Sequence, residues 1–140
     1  MTLKDIAVKL RTMHLYYQAA HNLVKGTVFY QDHEALGEYY TSIACDYDMT
    51  IERAITLEGD EVADPKIQLK QVYQDIKDLP CIDVKENKQY FTEGMKLEKE
   101  LCKGIKEYID KGCSPGTEQL IGDIANRSEK RQYLISRRIK

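Results

Sequence analysis

At 140 residues the chain is one domain of ordinary size, long enough to bury a core of its own. Hydrophobic residues at 42% beside 31% charged exclude a disordered chain, and no apolar run is long enough to span a bilayer. A net charge of -2 removes any bulk electrostatic reason to expect a polyanionic partner.

The first stretch, MTLKDIAVKL, carries Asp5 and no long apolar run, so it does not read as a secretory signal, and the expected compartment is the cytoplasm. Apolar positions then recur at helical spacing almost throughout, and nothing alternates as a strand would. A first stripe runs through Leu3, Ile6, Leu10, Met13, Tyr17 and Val24 and stops at Gly26, with His14 and His21 beside it. A second runs from near Phe29 through Leu36, Tyr40, Ile43, Tyr47, Ile51, Ile55 and Leu57 to Gly59. That helix approaches 30 residues, or about 45 Å.

The break GDEVADP follows, where Asp64 caps and Pro65 starts a shorter helix with Ile67, Val72 and Ile76 that ends before Pro80. A third long helix is expected over 85–111, with Phe91, Met95, Leu101, Ile105 and Ile109 on one face. A fourth follows SPG at 114–116, with Leu120, Ile121, Ile124, Leu134 and Ile135. The expected fold is therefore all-α: one domain over 1–140, a four-helix bundle with a short extra helix between the second and third long ones. The long link across 59–84 fits a crossover of the ferritin-like kind. The four cysteines, Cys45, Cys81, Cys102 and Cys113, lack the paired spacings of a zinc site and read as reduced thiols buried like small apolar residues.

Bundles hold metals by aiming carboxylates and imidazoles from facing helices. The usual in-bundle signature, Glu-x-x-His on two helices, is missing, and all three histidines lie before residue 34, which disfavours a centre inside one bundle. CDYDMTIER does place Asp48 and Glu52 four apart on one face, able to share a hard cation, although this spacing is also common on solvated helix faces. His21 and His33 flank the turn at Gly26 by five and seven residues, so an antiparallel hairpin sets them at similar heights. His33 and Asp48, however, are fifteen residues apart on one helix, about 22 Å of rise, far beyond the span of ligands to one ion. Either the two pairs are unrelated, or the histidine end of one chain meets the carboxylate end of another about a two-fold axis.

HNLVKGTVFYQDHEALGEYYTSIACDYDMTIERAITLEG resembles the core of the Dps proteins, the DNA-protecting miniferritins of starved bacteria. His21, Val24-Lys25-Gly26, Phe29, His33 and Asp48-x-x-x-Glu52-Arg53 stand in the register of that family's pattern, and TEQLIGDIANRSEKRQYL is similar to its last helix. The resemblance implies a ferritin-like bundle assembled as a hollow shell of twelve copies. It implies Fe(II) oxidation, preferentially by hydrogen peroxide, and storage of ferric mineral. It also implies that His21 and His33 of one subunit and Asp48 and Glu52 of its neighbour are the iron ligands and the catalytic set.

Three departures stand out. The family's carboxylate one turn after the second histidine is Gly37 here, which removes an oxygen donor, and Glu34 and Glu38 point at other angles. The common Trp after the first histidine is Asn22, leaving Tyr40 and Tyr47 as the tyrosines on the right helix to trap radicals, or as core. Acidic residues of the family's pores, through which iron enters, are not evident in KGCSPGTEQ. DNA binding is a separate matter: with the first helix expected to start at about residue 3, the family's lysine-rich amino-terminal extension is not expected, and contact with DNA would fall to the basic end. From Arg127 to Lys140 there are six basic residues against Glu129, and these charges either contact phosphates or solvate the last helix. Three readings remain: an iron-oxidising shell, a shell with little ferroxidase activity that serves as a structural or DNA-binding protein, and a metal-free helical interaction module.

Overall fold

The computed structural model describes residues 1–140 and consists of helices joined by short links, with no strand: α1 Leu3–Leu23, α2 Phe29–Glu58, a 3₁₀ turn Asp60–Ala63, α3 Pro65–Ile76, α4 Asn87–Asp110 and α5 Pro115–Arg138. The boundaries follow local chemistry. Thr2 and Asp5 form a reciprocal capping box, Asp5 N–H donating to the Thr2 hydroxyl at 3.1 Å and Thr2 N–H to the Asp5 carboxylate at 2.9 Å. The Glu58 carboxylate, at the far end of α2, accepts the next free amide, that of Leu3, at 3.0 Å. Asp64 caps α3 ahead of Pro65, and Ser114 caps α5 ahead of Pro115. The expected bounds hold to within a turn; α4 starts at Asn87 rather than 85, and α3 stops at Ile76.

Two antiparallel hairpins, α1–α2 and α4–α5, make the bundle: α1 packs on α2, α4 and α3, and α5 on α4 and α2. Their apolar stripes merge into one core that includes Leu3, Leu10, Tyr17, Leu36, Ile43, Phe91, Leu101, Ile105, Ile121 and Ile135. The stripes are not covered everywhere. Leu57, Ile67 and Leu134, expected on apolar faces, stand exposed, as do Leu69 and Tyr73 on α3, at 62% and 61%. A single chain seats α3 only along Gln68 and Val72. All four thiols are free, but their burial departs from expectation: three are half-buried, and Cys45 is exposed because it lies on the outward face of α2.

The middle of the bundle is polar. Glu98 of α4 is fully buried and accepts from Arg131 Nε at 2.6 Å and Nη2 at 3.0 Å, from Ser128 Oγ at 2.7 Å and from Tyr17 Oη at 2.8 Å. Tyr17 reaches it because α4 carries Gly94 there; a Cβ at that position would lie 2.8 Å from the phenol oxygen. Burial, with Glu98 alongside, holds the Tyr17 phenol well above its ordinary pKa, so it stays a donor. With four donors on its two oxygens, Glu98 is fully satisfied.

Candidate metal centre

His21 lies in the last turn of α1 and His33 in the second turn of α2, and the turn through Gly26 brings them face to face. Their rings stack with centroids 3.6 Å apart and planes 18° from parallel. The contact is reciprocal: His33 Nδ1–H donates to the His21 carbonyl at 2.6 Å, and His21 Nδ1–H donates to the His33 carbonyl. Because a carbonyl only accepts, both Nδ1 atoms must carry a proton, and neither Nε2 atom has a hydrogen-bond partner within the chain. A carbonyl on Nδ1 that fixes tautomer and ring orientation is the usual support of a metal-binding imidazole. The His21 carbonyl, at the end of α1, would otherwise lack a helical partner, so the same bond closes the helix.

Aromatic and small neighbours frame the pair. Phe29 stacks on His33 at 4.9 Å, Tyr40 meets the His21 ring edge-on at 5.2 Å, and His14 meets Tyr40 at 5.7 Å. Gly37 has a role beyond the loss of a carboxylate. A Cβ on it would stand 3.0 Å from His21 Cε1 and 3.1 Å from Nδ1, closer than such atoms normally approach. The imidazole of His21 occupies the space that a side chain at 37 would need. Tyr40 therefore abuts the pair, whereas Tyr47 is further along α2, its hydroxyl donating to Gln68 Oε1 at 2.7 Å with the Arg11 guanidinium 3.8 Å above its ring.

Asp48 and Glu52 are not brought to the histidines. They lie one turn apart on the exposed surface of α2, about 22 Å along the axis from His33, and fifteen residues at about 100° each return Asp48 to within about 60° of His33's direction. Both carboxylates are free of the chain's ion pairs, whereas the neighbouring Arg53 donates to Thr117 Oγ1 at 2.9 Å and ties α2 to α5. No group of three or more His, Cys, Asp or Glu side chains in the single chain is placed to hold a metal ion. The buried carboxylates inside the bundle are taken up by arginines: Arg131 neutralises Glu98 and Arg127 pairs with Asp46 at 2.7 Å.

Two arrangements escaped the sequence reading. The Glu98 network had a signal: Glu98 sits seven residues after Phe91 and seven before Ile105, a charge on an apolar stripe. The second had none. Asp32, beside His33, is buried and accepts Arg138 Nε and Nη2, each at 2.9 Å, and Asn87 Nδ2 at 3.0 Å. Arg138, expected either to contact phosphate or to solvate the end of α5, is thus folded back onto α2, while Arg137 and Lys140 remain exposed.

No protein-family model matches the chain, and no curated protein matches its sequence. Solved structures match over nearly its whole length. Dps from Thermosynechococcus elongatus is 21% identical with a TM-score of 0.83, covering 99% of this chain and 87% of its own. A Dps mutant from Listeria innocua is 16% identical with a TM-score of 0.84, covering 99% and 96%. A Dps protein from Vibrio cholerae, described as a member of a broad superfamily of ferritin-like diiron-carboxylate proteins, is 20% identical with a TM-score of 0.70, covering 99% and 86%. The chain is a ferritin-like four-helix bundle. More narrowly, it has the Dps fold, with the short helix α3 inserted between the second and third long helices. No helix is long and apolar enough to cross a membrane.

Proposed function

We propose that this protein is a Dps-type miniferritin: a cytoplasmic shell of twelve chains that oxidises Fe(II), preferentially with hydrogen peroxide, stores the ferric product and so protects against oxidative stress. The observation that carries the reading is the histidine pair, with both Nε2 atoms free and both rings fixed by reciprocal bonds to backbone. His21 and His33 of one subunit, with Asp48 and Glu52 of its two-fold neighbour, make the donor set for the iron substrate. Mixed imidazole and carboxylate donors suit ferrous and ferric iron. The exposed faces of α2 and α3, including Leu69 and Tyr73, supply surface for that neighbour to cover.

In the proposed reaction two ferrous ions give one electron each to one peroxide, which takes up two protons and leaves as two waters. Delivering both electrons at one site avoids release of hydroxyl radical. The chain's contribution is to hold two imidazoles fixed in orientation before iron arrives, and to present two unpaired carboxylates that offset the ion's charge. Gly37 favours the second reading, a shell with weak ferroxidase activity that serves as a structural or DNA-binding protein, because a donor is missing where the family has one.

Anaerobic oxidation of Fe(II) by hydrogen peroxide separates these readings. Fast oxidation in the native protein that is lost in the Asp48→Ala, Glu52→Ala double variant supports the interfacial centre. Equal, slow rates in both leave the shell without the enzyme. A particle of about 190 kDa, twelve copies of 16.2 kDa, distinguishes either shell from a metal-free interaction module that runs as a monomer or dimer.

A further inference from the structure

We propose that Asp32, Asn87 and Arg138 are positioning residues for the histidine pair, so that Arg138, in the basic carboxy-terminal turn, serves the metal centre rather than a polyanion. This inference rests on the proposed metal role of His21 and His33 and assigns the residues that hold their hairpin in register.

Side chains from α4 and α5 converge on Asp32 of α2. Arg138, in the last turn of α5 and 106 residues away, grips its carboxylate through both Nε and Nη2, a two-point contact that fixes orientation as well as distance. The same guanidinium lies over the Phe91 ring, 5.3 Å from its centroid, which anchors it to α4. Asn87, at the start of α4, donates through Nδ2 to Asp32 Oδ2 at 3.0 Å and to the Lys25 carbonyl at 2.7 Å, and its Oδ1 accepts the Lys25 amide at 3.1 Å. One side chain thus ties the α1–α2 turn to the first turn of α2.

That first turn has little else to hold it. Val28, the residue before α2, offers no side-chain cap, so the amino end of the helix depends on Asp32, whose negative charge also suits a helix amino terminus. Phe29 rides on this turn, and His33 follows Asp32 at the start of the next. Consecutive helical residues diverge by about 100°, so Asp32 faces the bundle while His33 faces out, and the clamp acts through the backbone without touching the ring. The stacked pair is held by two reciprocal Nδ1–H to carbonyl bonds, so slippage of α2 along α1 lengthens both and turns the rings. Arg138 also lines a basic surface cavity of about 450 Å³ with Lys25, Lys85 and Lys88, but its charge is already matched by Asp32, so it does not add to a phosphate site there.

The test is Co(II) binding to the assembled protein, followed by the visible absorbance of the bound ion, in the native chain, Arg138→Ala, Arg138→Lys, Asp32→Asn and the His21→Ala, His33→Ala pair. Val72→Ala, a core cavity on α3, is the control for lost stability. The expected result is about tenfold weaker cobalt binding in Arg138→Ala and Asp32→Asn, in line with the loss of outer support at metal sites. Arg138→Lys, which keeps the charge but not the fork, falls between these and the native protein, and Val72→Ala binds as the native protein does. Native affinity in Arg138→Ala overturns the proposal, as does an equal loss in Val72→Ala, since affinity would then follow stability alone. If Arg138→Ala does not assemble, Arg138→Lys decides: threefold or greater weakening supports the clamp, and unchanged affinity overturns it. A native protein that binds no cobalt, or binds it equally without both histidines, overturns the metal reading and the clamp with it, an outcome distinct from failure of the clamp alone.

Discussion

The centre of the bundle and the outer seam of the α1–α2 hairpin both gather polar side chains, and they treat them in opposite ways. At the centre, Glu98 meets four donors and is left with nothing to bind. At the seam, His21 and His33 satisfy one nitrogen each and leave the other free. Both regions are held by hydrogen bonds across the chain; the Glu98 network uses all of its acceptors, whereas the histidine pair does not use all of its nitrogens. The place where a four-helix bundle could hold a metal internally is therefore filled by an ion pair, and the imidazoles with a free nitrogen stand at the surface, where the proposed centre takes its carboxylates from another chain.

Breaking the central pair should give the largest effect. Arg131→Met leaves Glu98 buried and uncompensated and is expected to destabilise the fold by about 3–5 kcal/mol, read from urea unfolding. The double variant Glu98→Leu, Arg131→Met should recover most of that loss; failure to recover would show that Ser128 and Tyr17 are not content without the carboxylate. Neither variant reaches the histidines directly, so any folded form should keep its cobalt affinity.

Gly37→Ala sharpens the contrast because its two consequences have opposite signs. Alanine in place of glycine within a helix stabilises by about 0.5–1 kcal/mol. The new Cβ, 3.0 Å from His21 Cε1, displaces the ring, and cobalt binding should weaken severalfold. A raised melting temperature with unchanged cobalt affinity would mean that the pair is not held tightly against α2.

The smallest expected effect concerns His14, which shares the seam but binds nothing: its Nδ1 is buried without a partner. Burial, helped by the nearby positive charge of Arg11, lowers its pKa below the ordinary 6.5. The unfolded chain then takes up the proton more readily than the native one, so this residue's contribution is complete above about 6.5 and is lost as pH falls through the depressed native value. His14→Asn should flatten the dependence of stability on pH just below 6.5, measured by thermal unfolding across that window; an unchanged slope would assign the loss to other groups.

Much of this was legible because it is local. Thr2, Asp64–Pro65 and Ser114–Pro115 mark helix starts by chemistry within three residues, and the stripes from Leu3 and Phe29 mark the buried faces. The histidines could be paired from sequence because a turn at Gly26 sets two residues twelve apart at one height. What stayed hidden depends on partners far along the chain. Periodicity says that Asp32 begins a helix but not that Arg138, 106 residues on, folds back to it. Nor does a glycine on α2 show that the space beside it belongs to His21, since that requires knowing how the hairpin's two helices sit against each other.

The claim that most needs testing is that each centre is split between two chains. Two inactive proteins, one carrying His21→Ala and His33→Ala and the other Asp48→Ala and Glu52→Ala, can be unfolded together in equal amounts and reassembled. At every mixed two-fold interface one site loses all four ligands and the other keeps all four, so random pairing restores about a quarter of native sites. Recovery of about a quarter of the native rate of Fe(II) oxidation by peroxide is the predicted result. A mixed shell of the right size with no more activity than either parent would contradict it.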